Sequence, residues 1–264
     1  MDLREIPNEA FERHPWERAR ARFFVRALDR AQLLARPLAV LDVGAGDGFF
    51  ADELGRRLPE GSRVVCCDSN YADGQMAQLA RAVDTRVVSF ARELPPKGGQ
   101  FGLVVLLDVI EHVPDDASFV GQLVAQQLRP GGHVLVSVPA WMSLFTRHDL
   151  GVAHYRRYRP AQLLDVMASV GLTIRASGGL FHSLLLPRAL EKLQERVRGI
   201  RSAPMPENPP EAKTDIGSWH HGAAVTRAID WALAADNAVS TASAKLKLPL
   251  PGLSAWVLAQ RQAS

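Results

Sequence analysis

The residues able to do chemistry in this chain fall into four short stretches. Residues 40–50 read VLDVGAGDGFF, an apolar run carrying Asp42 that breaks into Gly44, Ala45, Gly46 and Gly48. Glycines at such a break let the backbone take positive φ, so that a ligand can lie directly against main-chain N–H groups. Asp68 ends a second apolar run, twenty residues beyond Gly48. At about that spacing a doubly wound fold places the carboxylate that accepts both hydroxyls of a ribose. Residues 101–113, FGLVVLLDVIEHV, end in Asp108, Glu111 and His112. If the chain turns helical there, these three share one face at i, i+3 and i+4. The fourth stretch, residues 145–158, reads FTRHDLGVAHYRRY and supplies His148, His154, Arg156 and Arg157. Imidazoles titrate near neutral pH. The two arginines are forked donors for a carboxylate or phosphate, or else partners in internal salt bridges.

Positioning these groups takes alternating strands and helices. The glycine loop lies between a strand at 38–43 and a helix in which Phe50, Leu54 and Leu58 recur at helical spacing. The patterns that follow predict a strand over 62–67, a helix over 72–83 and a strand over 86–90. The run 101–107 is apolar without a break, as in a central parallel strand buried on both faces. A helix at 116–129, a turn at 129–132, a strand at 133–139, a helix at 159–170 and a strand at 172–175 continue the alternation. The run SAWVLA at 254–259 gives a last strand. Ahead of the loop, residues 16–35 predict a helix with Trp16, Phe23, Phe24, Ala27, Leu28, Ala31 and Leu34 on one face and arginines on the other.

An acid two residues before G-x-G-x-G resembles motif I of the class I S-adenosylmethionine-dependent methyltransferases. Asp68, the D-V-I-E-H of 108–112 and the L-R-P-G-G of 128–132 resemble that family in the same order. The resemblance covers roughly residues 38–177 and 253–262. It implies a Rossmann-like, doubly wound α/β fold with a seven-stranded sheet, mostly parallel, whose last strand is antiparallel. It divides the chain into a helical cap (1–37), a cofactor-binding core (38–179 and 253–264) and a helical insertion (180–252). It implies S-adenosyl-L-methionine as cofactor, held by Asp42, Gly44, Ala45, Gly46, Gly48, Asp68, Ser69 and Asp108. Many relatives carry an acid for the adenine amine after the third strand. Phe90 and Ala91 stand there in this chain, so adenine recognition is expected to rest on backbone and apolar packing.

The implied reaction is attack of an acceptor nucleophile on the sulfonium methyl, accelerated largely by holding the reactants collinear and desolvated. An oxygen nucleophile also gains from a base or a cation, and His112, His148 and His154 are the candidates. A further resemblance, to the metal sites of small-RNA 2′-O-methyltransferases and to similar clusters in ubiquinone-pathway O-methyltransferases, implies a divalent ion. Magnesium, manganese or zinc would be held by Asp108, Glu111, His112 and His154. Methylation of a small or lipid-linked molecule at oxygen is therefore the leading function. RNA methylation with a divalent metal and a non-catalytic, cofactor-binding scaffold are the alternatives. Nicotinamide oxidoreduction fails at Phe49, where its fingerprint wants a third glycine.

Composition sets the remaining bounds. The 264 residues are 47% hydrophobic with a formal charge of +3. That is enough for one core, and too little charge to argue for nucleic acid. The charged N-terminal residues do not resemble a secretory signal, and the adjacent Cys66 and Cys67 read as buried thiols in a reducing cytoplasm. Within the insertion, residues 180–201 combine an apolar stripe with at least five basic residues, and Pro204–Pro210 marks a loop. The stripe is expected either to fold over the acceptor pocket or a dimer seam, or to lie on an anionic membrane surface.

Overall fold

The structure is a computed structural model; it describes residues 13–98, 100–199, 219, 221–248 and 250–263. Seven strands form one sheet: β1 (Ala39–Val43), β2 (Arg63–Cys67), β3 (Val88–Ala91), β4 (Phe101–Leu107), β5 (Leu128–Pro139), β6 (Leu172–Leu180) and β7 (Ser254–Arg261). Their order across the sheet is β3-β2-β1-β4-β5-β7-β6. The first five run parallel, and β7 is antiparallel to both of its neighbours.

Strand β4 shows why its sequence lacks alternation. Leu103 and Val105 face one side of the sheet, with Val40, Val64, Leu135 and Trp256, while Val104 and Leu106 face the other with Leu41, Val134 and Val257. Both faces are covered, so both sets must be apolar. The first face carries α1 (Pro15–Arg30), α2 (Phe49–Gly55) and α8 (Ala223–Leu246). The second carries α4 (Asp116–Gln126) and α6 (Pro160–Ser169). Helix α1 begins with Pro15 in its first turn and is capped by the His14 ring, which accepts from Trp16 N–H. Its Phe23 and Phe24 meet Trp256 edge-on at 5.3 and 6.2 Å between ring centres.

Several boundaries differ from the sequence reading. Helix α3 is only Gln75–Leu79, and β5 begins at Leu128 with the Arg-Pro-Gly-Gly segment inside the strand. The pairing of β4 with β5 absorbs that segment as an irregularity between Phe101 and Leu103. Arginines do not keep to one face of α1: Arg20 is buried, one turn from both Trp16 and Phe24.

In the insertion, α7 (Leu185–Val197) and α8 are separate helices, and Pro187 sits in the first turn of α7 where its missing N–H costs nothing. Helix α8 packs on α1. Asn237 donates to Ala19 O at 2.9 Å, and Arg18 pairs with Asp230 at 2.9 Å. The stripe of α7 does not fold over the core, since the helix has no buried residue. The Pro204–Pro210 segment lies outside the described residues. Among the described residues no helix is long and apolar enough to cross a membrane.

Candidate active site

The turn from β1 to α2 takes its shape from three residues with positive φ: Gly44 (67°), Gly46 (56°) and Gly48 (76°). A Cβ on Gly44 would stand 2.7 Å from Val109 Cγ2, and one on Gly48 would stand 2.8 Å from the Phe90 ring. The loop is pinned from β2. Gly44 N–H donates to Cys67 O at 2.7 Å, and Gly46 N–H donates to Asp68 Oδ2 at 3.2 Å. Tyr71 O–H donates to Gly46 O at 2.8 Å. The carboxylate expected to hold a ribose therefore touches the glycine loop directly, and Ser69 sits exposed on the turn beside it. Phe90, at the adenine corner, meets Tyr71 edge-on at 5.8 Å.

A crevice opens at the carboxyl end of β1, lined by Asp42, Gly44, Ala45, Asp47, Phe49 and Leu107 and roofed by Glu17, Arg20 and Ala21 of α1. Burial pushes the Asp42 carboxyl up to about 7, with Arg20 opposing the rise. Arg20 lies over the Trp16 ring at 4.7 Å and ion-pairs with Asp108. Arg13 pairs with Asp47 and lies over the Phe49 ring at 4.0 Å. The sequence reading missed Glu17, Arg13 and Arg20. Its one available signal was a charged residue at position 20 on the apolar face of α1. Cys66 and Cys67 are free and buried, and burial raises both thiols, Cys67 to about 11.

A second group of side chains stands beside this crevice. Val109, which touches Gly44, precedes a single 3₁₀ turn, Ile110–His112. The chain does not become α-helical here. Asp108 takes φ 56° and pairs its carboxylate with Arg20. What the fold gathers instead is Glu111, His112 and His154, each with a ligand atom within 4.8 Å of the others. Asp108 pairs with Arg20 of α1, and its carboxylate is not among the converging ligand atoms. The rings of His112 and His154 meet at 4.7 Å, and His154 Nε2 lies 3.9 Å from Glu111 Oε1. Tyr155 N–H donates to Glu111 O at 2.8 Å, which ties the segment after β5 to the 3₁₀ turn. Glu111 is fully buried, and neither of its carboxylate oxygens has a hydrogen-bond partner among the described residues. Burial, then the nearby Asp108 charge, pushes its carboxyl well above the usual range.

His154 is oriented by Asp149, the acid of a capping box on the short helix α5 (Arg147–Gly151). Oδ1 of Asp149 lies 3.0 Å from His154 Nδ1 and accepts from Arg157 Nε at 2.7 Å. Oδ2 accepts from Thr146 N–H at 2.8 Å and from Arg188 of α7 at 2.7 Å. Burial alone would raise this carboxyl, but the hydrogen bonds from His154, Arg157 and Thr146 and the Arg157 charge hold it well below the usual range. An ionised carboxylate only accepts, so Nδ1 of His154 is the donor to Asp149, and Nε2 is the ring nitrogen turned toward Glu111.

The arginines and Tyr158 that follow His154 serve the fold. Arg157 is buried on Asp149, Arg156 pairs with Asp116 at 3.1 Å, and Tyr158 O–H donates to Asp116 Oδ2 at 2.6 Å. Neither arginine is free for a substrate anion. Burial and Arg188 lower His148.

A family model described as a methyltransferase domain matches residues 13–177. An uncharacterized methyltransferase of Mycobacterium sp. (strain JLS) is 33% identical over 116 residues, covering 44% of this chain and 44% of that protein. The ubiquinone biosynthesis O-methyltransferase of Pectobacterium atrosepticum is 30% identical over 167 residues, covering 56% and 68% respectively. The chain thus spans less than half of the first relative and about two thirds of the second. Among solved structures, an S-adenosylmethionine-dependent methyltransferase from Mesorhizobium loti superposes with a TM-score of 0.51 at 16% identity, covering 89% of this chain and 96% of that one. The cyclase SpnF superposes with a TM-score of 0.54 at 16% identity, covering 98% and 87%. A likeness at that identity speaks for the fold alone. With the family model, the strand order and the glycine loop in agreement, the chain belongs to the class I S-adenosylmethionine-dependent methyltransferases.

Proposed function

We propose that this protein transfers the methyl group of S-adenosyl-L-methionine to an oxygen of a small or lipid-linked acceptor, at the cluster Glu111, His112 and His154. One observation carries this reading: the Glu111 carboxylate is wholly buried, has no hydrogen-bond partner for either oxygen among the described residues, and lies within 4.8 Å of ring nitrogens of His112 and His154. A buried polar group left unmatched costs on the order of 1–3 kcal/mol, a cost a fold tolerates where the group has chemistry to do.

Each half of the site supports a part of the reaction. Asp42 and Asp68 suit the ammonium and the ribose of the cofactor, and buried Arg20 suits its carboxylate. His154 Nε2, with its ring oriented by Asp149, suits removal of a proton from an acceptor hydroxyl. One carboxylate and two imidazoles also fit a divalent cation such as magnesium, manganese or zinc. When bound, such an ion would favour the oxyanion of the acceptor, and Asp108 stands outside its ligand set. Oxygen as the methylated atom also agrees with the name of the Pectobacterium relative.

The test is release of S-adenosylhomocysteine with a panel of phenolic, alcoholic and amine acceptors, for wild type and His154→Ala. Activity confined to oxygen acceptors, lost in the variant with cofactor affinity retained, is the expected result. A variant at near-full turnover would remove His154 from the reaction. Calorimetry with manganese on wild type and Glu111→Gln decides the cation separately, since heat in the first and none in the second is expected.

A further inference from the structure

Helix α7 is mounted with its polar side inward. Arg188 reaches in to the buried Asp149, and Glu195 accepts from the Arg147 N–H at 3.0 Å. The apolar side faces out. Leu186 is 67% exposed, Leu190 50%, Leu193 55% and Val197 79%. At 100° per residue these four fall within an arc of about 60°. Two basic groups without ion pairs among the described residues, Arg196 and Arg198, flank the stripe, each roughly a quarter to a third of a turn away. Both acids of the helix are engaged, Glu191 by Arg188 at 2.9 Å and Glu195 by the Arg147 N–H and Lys192.

We propose that this face of α7 docks on a lipid surface rich in anionic headgroups. The stripe would sink to the level of the acyl chains, and Arg196 and Arg198 would lie among the phosphates. Two arguments favour lipid over a second copy of the chain. The stripe offers about 400 Å² of apolar surface, within the range that marks a contact site on a monomer but about half of the roughly 800 Å² per partner in a stable interface. An isologous contact would also bring the same basic patch against itself, adding both copies of Arg196 and Arg198 to one seam, whereas anionic headgroups complement them. Docking reaches the methyl-transfer centre through one side chain: Arg188 of this helix holds the Asp149 that orients His154. On the reading given above, an acceptor dissolved in the bilayer is then presented to the site by the element that binds the bilayer.

Flotation of the full chain with vesicles tests this without turnover, so its failure would leave the methyl-transfer reading intact. Wild type is expected to float with phosphatidylglycerol vesicles, less so at high salt, and weakly with phosphatidylcholine. Leu190→Asp/Leu193→Asp places charge only on the exposed stripe and should fold as wild type by circular dichroism. Its partition to phosphatidylglycerol should fall more than about tenfold, given the apolar area removed. Arg196→Glu/Arg198→Glu should lose the dependence on headgroup charge. Wild type that floats with neither lipid, or a leucine variant that floats equally well, overturns the proposal. So does self-association of wild type, abolished in the leucine variant, in place of flotation; that result assigns the face to a second copy.

Discussion

Replacing Asp42 by asparagine is expected to stabilise the cofactor-free protein above neutral pH while weakening its hold on the cofactor. The Asp42 carboxyl titrates at about 7 in the fold against an ordinary value of 3.8, chiefly because it is buried, with Arg20 opposing and Asp68 and Asp47 adding to the rise. The folded chain therefore holds this proton more tightly than the unfolded chain does. The stability gained from that proton is intact below pH 3.8, is lost as the pH climbs toward 7, and is gone above it. A shift of about three units corresponds to roughly 4 kcal/mol as an upper bound. Most of it, about 2–3 kcal/mol, falls between pH 5 and pH 8. Asparagine has no such dependence. Urea unfolding of both proteins at the two pH values should show the advantage of Asp42→Asn growing by that amount. The cofactor's ammonium would favour the carboxylate, so wild-type affinity should rise from pH 5 to pH 7 and that of the variant should stay flat. A stability difference equal at both pH values would refute the argument, because it would mean that Asp42 is ionised throughout.

Three further outcomes are expected. Asp68→Ala removes the carboxylate placed for the ribose and should weaken cofactor binding by about 2–3 kcal/mol in calorimetry; unchanged affinity would remove that assignment. Gly48→Ala puts a Cβ at φ 76° and 2.8 Å from the Phe90 ring and should cost about 2 kcal/mol in urea unfolding, partly restored by Phe90→Leu. Asp149→Asn leaves the buried guanidinium of Arg157 without its counter-charge and should destabilise by about 3–5 kcal/mol. A loss under 1 kcal/mol would mean that water already serves these cations.

The geometry of the glycine loop was legible in the sequence because its requirements are local. A strand that ends, a backbone that takes positive φ at Gly44, Gly46 and Gly48, and an acid at the tip of the next strand each leave a mark within a few residues. Strand β4 was legible for the same reason, since burial on two faces suppresses alternation. The chain also fixed the number and type of most elements, because periodicity reports which face of a segment meets the core.

What the tertiary structure decided is which polar groups face each other, and this depends on contacts far apart in the chain. Asp108, Glu111 and His112 have the spacing of a helical face, yet the strand runs into a 3₁₀ turn and Asp108 swings to Arg20, 88 residues away. Arg156 and Arg157 look identical in sequence to a substrate clamp. Asp116 and Asp149 claim them because a buried cation must find an anion within the fold. Asp149 leaves only the local mark of a capping box with Thr146, which does not say what else it binds. The turn of its own segment brings His154 and Arg157 to it, and the packing of α7 adds Arg188. The stripe of α7 shows the opposite case: its periodicity was plain, but amphipathicity records only that a helix has two faces. The ion pair from Arg188 to Asp149 turned the polar face inward and left the leucines outside.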